Sequence, residues 1–166
     1  MDLDMPAIEQ PPADLLGQRQ AELDELFATL APVSAAQADG YWRGTLMAIL
    51  GFGWLPRPLA RLWYRLLRTP LNPWRGKSFA QGGGANRWFG VRGPAFGRFK
   101  LRETHSPIDG QPVLWLDYDI PENPRFLRPI RGEARMLGNG LVLARMNWQT
   151  RRGLHRVLYF TLTPAG

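Results

Sequence analysis

From Trp74 onward the chain is cut into short runs by explicit turn signals, and this punctuation restricts the fold more than any other feature. The breaks are Gly82-Gly83-Gly84, Gly93-Pro94, Pro107-Ile108-Asp109-Gly110, the stretch from Pro121 to Pro124, Gly138-Asn139-Gly140 and Arg152-Gly153. Between them the pattern predicts strands near 75–80, 87–93, 96–104, 112–119, 129–137, 140–148 and 154–163. Gly138-Asn139-Gly140 is the most specific signal, because a two-residue hairpin loop favours positive φ at both of its positions. Connections this short join antiparallel neighbours, and closing the resulting meander removes its exposed edges. One more strand, from Trp42 to about Gly51, brings the count to about eight. The expectation is a mainly β protein, an antiparallel up-and-down barrel.

That first strand opens on Gly40-Tyr41-Trp42-Arg43-Gly44. In a barrel, one glycine would let the backbone pass close to a neighbour, the indole would plug the end of the cavity, and the second glycine would permit a bend. A turn carrying a core tryptophan is the alternative. Residues 1–12 carry three prolines and no periodicity, as a loose tail does. From Ala13 to Leu30 the apolar residues Leu16, Leu23, Phe27 and Leu30 share a helical stripe, with Asp24 and Glu25 opposite. This acidic face is expected to lie against the basic domain or a partner. One short turn is expected within 35–39. From Leu55 to Arg68 a second helix places Leu59, Leu62, Trp63, Leu66 and Leu67 on one side, and Arg57, Arg61, Arg65 and Arg68 on the other. The chain thus divides into an acidic tail and helix (1–39) and a barrel domain (40–166) with a lid helix over 55–69.

Gly40-Tyr41-Trp42-Arg43-Gly44 resembles the signature of the bacterial GXWXG-motif proteins, in which a Trp-Gly-Lys-x-Phe segment follows. Here that segment reads Trp74-Arg75-Gly76-Lys77-Ser78-Phe79, with one residue inserted. The hairpin from Arg135 to Met146 is similar to that family's closing hairpin, and the likeness extends over roughly residues 20–163. The resemblance implies a lipocalin-like (calycin-type) barrel holding an apolar ligand, with a strand–helix–strand opening similar to the intracellular fatty-acid-binding barrels. It implies no known activity. The long segment 45–70 and the Gly82–Gly84 run depart from the pattern, so a lid geometry is not carried over.

Charge is distributed unevenly. Residues 1–40 hold eight acidic residues and one basic, a net of −7, whereas residues 41–166 hold twenty basic and six acidic, a net of +14. A domain so basic suits nucleic acid, an anionic membrane surface or an acidic small ligand. A general preference for arginine is the plainer account, since 19 of the 21 basic residues are Arg. The arginines are spread over many strands instead of interleaving with exposed aromatics, which argues against nucleic acid. No cysteine is present, which excludes disulfides, thiolate catalysis and cysteine zinc sites. The acidic N-terminus lacks the regions of a secretory signal, and the longest uncharged apolar run, Gly44 to Pro56, has 13 residues. A cytoplasmic protein is expected, with peripheral membrane contact through Arg57, Arg61, Arg65 and Arg68.

Familiar catalytic signatures are missing. Gly76-Lys77-Ser78 ends like a phosphate loop, but Leu71 stands where its first glycine belongs. His105, Ser106 and Asp109 contain the side chains of a triad, yet they fall within one turn that Asp109-Gly110 accounts for. Alternation predicts Phe99, Leu101 and Glu103 inward on one strand and Leu114, Leu116 and Tyr118 inward on the next. For 141–148 and 154–163 both faces are candidates, because Val142, Ala144 and Met146 oppose Leu143, Arg145 and Asn147, and Leu158 and Phe160 oppose Val157 and Tyr159. An inward Arg135 or Arg145 near Glu103 and Tyr118 would form either a carboxylate or phosphate clamp or a structural salt bridge. Lys77 and Asn86 flank the glycine run, where they either reach the cavity mouth or are plain loop residues.

The candidate ligand-binding set is therefore Trp42, Trp63, Lys77, Asn86, Glu103, Tyr118, Arg135, Arg145 and Tyr159. Two functions of different class fit it. One is a binding or carrier protein for a lipid, fatty acyl or polyketide-like molecule. The other is a small barrel enzyme, a cyclase or isomerase, with Glu103, Tyr118 or His105 as acid–base group. No cofactor is expected, and a haem held by His155 or His105 would show itself as colour.

Overall fold

Alternation along each strand sorts the side chains into two layers, one inside the sheet and one outside it. The computed structural model describes residues 18–49, 56–58, 61–62 and 72–166. A helix, α1 (Gln20–Thr29), is followed by β1 (Ala31–Pro32), β2 (Gly40–Ile49), β3 (Trp74–Ala80), β4 (Gly83–Trp88) and β5 (Ala95–His105). β6 (Pro112–Asp117), β7 (Ile130–Gly138), β8 (Leu141–Thr150) and β9 (Gly153–Pro164) complete the chain. Strands β2 to β9 pair in sequence, all antiparallel, and β9 returns to β2 from Trp42↔Pro164 to Ile49↔Leu158. The sheet is a closed eight-stranded barrel. The two-residue β1 lies outside the ring and pairs with β7, Ala31 opposite Met136.

The expected hairpin is present, with Asn139 at φ 50° and Gly140 at φ 75° joining β7 to β8. The strand expected at 87–93 is displaced to β4, because the turn occupies Gln81 and Gly82 and leaves Gly83 and Gly84 in the ladder opposite Ala80 and Phe79. Gly84 has no room for a side chain, since a Cβ there would lie 2.6 Å from the Phe99 ring. Residues 89–94 form turns and bends instead of a strand.

The two tryptophan–glycine segments lock together in adjacent strands, with Trp42 opposite Lys77 and Arg43 opposite Gly76. A Cβ on Gly44 would lie 2.1 Å from the Trp74 ring, and nothing lies within 4 Å of the corresponding position at Gly40, whose φ is 109°. The expected roles are exchanged: the second glycine gives the close approach and the first gives the unusual backbone angle. Trp42 is 5% exposed and clusters with Val33 and Ala38. Its indole N–H donates to the Ala38 carbonyl at 2.7 Å, so the turn at 35–38 and the indole together close this end of the barrel.

Closure settles the two undecided strands. Val142, Ala144, Phe160 and Leu162 join Leu114, Leu116, Tyr118 and Phe99 in the interior cluster. Val113, Trp115, Leu143 and Tyr159 lie in a second cluster on the outer face, beneath Leu23 and Phe27 of α1. Two acidic residues of α1 meet basic residues of the domain, Asp24 with Arg156 at 3.0 Å and Glu22 with Arg57, while Glu25 is exposed. Glu22 also accepts the Arg19 amide hydrogen at 2.8 Å, which holds its carboxyl below the usual carboxylate range. Of the expected lid helix, residues 57, 58, 61 and 62 are helical and exposed. Leu55, Leu59, Trp63, Arg65, Leu66, Leu67 and Arg68 lie outside the described residues, as does the tail through residue 17.

Candidate functional site

Away from the Trp42 plug the barrel keeps a cavity of about 370 Å³, within the range of small-molecule sites. Its walls are mostly apolar, with Leu46, Trp74, Trp88, Met146, Leu158 and Phe160 among them, while Lys77 brings a charge and Asn72 and Asn86 bring amides. Strand geometry explains why Lys77 and Asn86 meet. Lys77 on β3 stands opposite Asn86 on β4, so one hairpin aims both side chains inward. They are ladder residues, not loop residues.

Lys77 is 1% exposed. Its Nζ donates to Asn86 Oδ1 at 2.5 Å and to the Tyr118 hydroxyl oxygen at 2.6 Å. The Tyr118 hydroxyl in turn lies 3.3 Å from Asn86 Oδ1. The rings of Phe160, Phe99, Tyr118 and Trp74 surround the nitrogen at 5.1, 5.2, 5.4 and 6.0 Å, close enough for their π faces to stabilise an ammonium. Among the described residues no carboxylate pairs with it. Burial therefore lowers the ammonium from its ordinary value to about 7, because the charged form loses its water and gains no counter-ion. Burial also raises the Tyr118 phenol, against a smaller opposing effect of the Asn86 hydrogen bond. The result is an amine that exchanges its proton near neutrality beside a phenol that keeps its own.

The other candidates are placed elsewhere. Arg135, Arg145 and Tyr159 do not reach the cavity, because Ala134, Ala144 and Phe160 occupy the inward positions beside them. They form a polar cluster on the outer wall beneath α1. Arg145 Nε donates to Glu133 at 2.5 Å, and Arg135 grips Asp109 with two bonds of 2.7 Å. Both guanidiniums lie over the Phe27 ring, 4.4 and 4.2 Å from its centroid, and the Phe27 carbonyl accepts from Arg135 at 2.8 Å. Tyr159 donates to Asp24 at 2.5 Å. Burial alone would raise the Asp109 carboxyl, but the hydrogen bonds of Arg135 and the Gln111 amide, with the charges of Arg135 and Arg145, hold it below the usual range. Both alternatives weighed for the arginines assumed an inward side chain near Glu103 and Tyr118; Arg135 and Arg145 instead form salt bridges with Asp109 and Glu133 on the outer wall.

Glu103 is exposed and accepts the Ala35 amide hydrogen at 2.9 Å, at the plugged end, which separates it from Tyr118's partners. His105 is exposed, Ser106 accepts from Arg145 at 3.2 Å, and Asp109 is held by Arg135, so the three make no nucleophile–base pair. His155 is exposed and contacts Thr150 at 3.0 Å. Neither histidine lines the cavity, and no metal-ligating group of three side chains occurs among the described residues. Trp42 bonds Ala38 at the plugged end and is not among the residues that line this cavity. The wall residues Trp74, Trp88, Met146 and Phe160 were not in the expected set. The fully apolar face of β8, Val142-Ala144-Met146, was the signal that pointed to one of them.

No family model matches the chain. No curated protein matches it either. Among solved structures, the crystal structure of a protein from Thermomonospora curvata superposes with a TM-score of 0.60. It covers 93% of each chain at 23% identity. That likeness shows the barrel and nothing of its contents.

Proposed function

We propose that the barrel binds an apolar small molecule, a lipid, fatty acyl or polyketide-like compound, and holds its oxygen-bearing end at Lys77, Asn86 and Tyr118. The observation that carries this reading is a buried lysine without a carboxylate, set in the wall of a mostly apolar cavity. A structural lysine is expected to have a counter-ion, because an unpaired buried charge is costly. A ligand oxygen at the cavity end would supply the missing partner. Phe89 and Phe126, each next in sequence to a wall residue, are 79% and 63% exposed, as an apolar entrance requires. The resemblance to the GXWXG-motif barrels supports the same reading, since two of the segments that carry it pair in adjacent strands and the second of them brings Trp74 and Lys77 to the cavity.

Trp74 and Trp88 line the cavity, so their emission reports on its contents. Titration with a fluorescent fatty acid should saturate near one molecule per chain, and Met146→Trp, which fills the cavity, should abolish binding with the fold intact. Absence of saturable binding to the wild-type protein would overturn the proposal. The 2.6 Å contact between Lys77 and Tyr118 favours one second reading. In it the barrel is an isomerase or cyclase in which these two groups, instead of Glu103 or His105, move the proton. A bound compound recovered unchanged after prolonged incubation favours the carrier, and a rearranged one favours the enzyme.

A further inference from the structure

We infer that Lys77 is a covalent site, an amine that forms a reversible Schiff base with an apolar aldehyde or ketone held in the barrel cavity. The inference rests on the cavity being the ligand site and adds the chemical class of the ligand. Three geometric facts carry it. Lys77 lines the cavity and is shielded from bulk water at 1% exposure. Two of its three bonding directions beyond Cε are taken by neutral oxygens, Asn86 Oδ1 and the Tyr118 hydroxyl, and the third has no hydrogen-bond partner among the described residues. The shell around it is made of aromatic rings, which tolerate the neutral amine and the cation alike. A lysine desolvated in this way is also a nucleophile, because its neutral form holds the free electron pair.

The step balances without any co-reactant. The Nζ electron pair adds to the carbonyl carbon as the C=O π bond breaks. The oxygen takes a proton from the Tyr118 hydroxyl, 2.6 Å from the nitrogen in the free protein. The nitrogen returns a proton to Tyr118, which gives a neutral carbinolamine. Loss of that hydroxyl and the remaining N–H hydrogen as one water leaves the C=N bond. Nothing is oxidised or reduced, and water reverses each step. Asn86 remains a neutral acceptor that orients the nitrogen throughout.

The chain simplifies the test, since its only lysines are Lys77 and the exposed Lys100. The full chain would be incubated with trans-cinnamaldehyde, reduced with borohydride, weighed intact and mapped by peptide mass. Cinnamyl alcohol and cinnamic acid, which share the carbon skeleton, would be titrated in parallel against tryptophan emission. The expected result is one adduct per chain on the peptide bearing Lys77, together with saturable binding of the alcohol. Tyr118→Phe should slow trapping at saturating aldehyde by about tenfold or more, a rate effect read separately from its effect on the binding of the alcohol. Lys100→Arg should change neither. Binding of the alcohol without an adduct at Lys77, or an adduct only on Lys100 or the terminal amine, would overturn the covalent site and leave the cavity reading standing. Tighter binding of the acid with no aldehyde adduct would do the same and make Lys77 a carboxylate receptor. Failure of all three compounds to bind or react would overturn both. Because the adduct is mapped on the wild-type chain, the result does not depend on any variant folding.

Discussion

Among the described residues the barrel wall buries basic side chains in two places, and it treats them oppositely. On the outer face Arg135 and Arg145 are 0% and 1% exposed, and both meet carboxylates, Asp109 and Glu133. On the inner face Lys77 is as deeply buried, and its partners are an amide, a phenol and four rings. The difference follows from the side chains. An arginine keeps its proton under all ordinary conditions, so a buried one must be matched by negative charge. A lysine can release its proton, so the wall need not match it. The matched pair holds α1 to the barrel, and the unmatched amine is left for a ligand.

Removing a matched charge should have the largest effect. Arg145→Met leaves Glu133 buried with only Asn147 as hydrogen-bond donor, and the expected loss is about 3–5 kcal/mol. Urea denaturation measures it, and a loss under ~1 kcal/mol would erase the distinction between the two sites. Trp42→Ala serves as the uncharged control at the plugged end, with about 3 kcal/mol expected from lost packing. If it proved nearly neutral, the plug would be a simple turn.

The unmatched lysine should reveal itself through pH. Unfolding restores the ordinary lysine value, so between about pH 7 and 10 the unfolded chain binds a proton that the folded chain does not. Stability should therefore rise with pH across that window and become flat below it. Relative to Lys77→Met, the wild-type protein should gain on the order of 2 kcal/mol from about pH 7 to 9. Parallel profiles for the two proteins would mean that Lys77 keeps its charge through an unseen partner. The smallest effect is expected at the rim of the outer cluster. Asp24→Asn weakens the contacts to Tyr159 and Arg156, for about 1 kcal/mol by thermal unfolding.

The amino-acid order alone determined the barrel and the inward face of one of its strands. Turn residues at Asn139-Gly140, the strand count and the inward set Leu114, Leu116 and Tyr118 were all legible, because turn chemistry and period-two alternation are local properties. Alternation divides a strand into two faces but names the inner one only when the other is polar. On β8 and β9 it failed for a definite reason. Helix α1 covers the outer wall, so Leu143 and Tyr159 are as buried there as Ala144 and Phe160 are inside. Glu103 followed alternation to the edge of the barrel, where the plug took its carboxylate instead of the cavity. Lys77 stood in plain view beside a glycine run, and nothing local distinguishes a loop lysine from a buried one. Its meaning came from barrel closure, which set Asn86 across the hairpin and Tyr118, 41 residues along the chain, against the same nitrogen. Local order chose the strands, and the closed ring decided which side chains share a space without water.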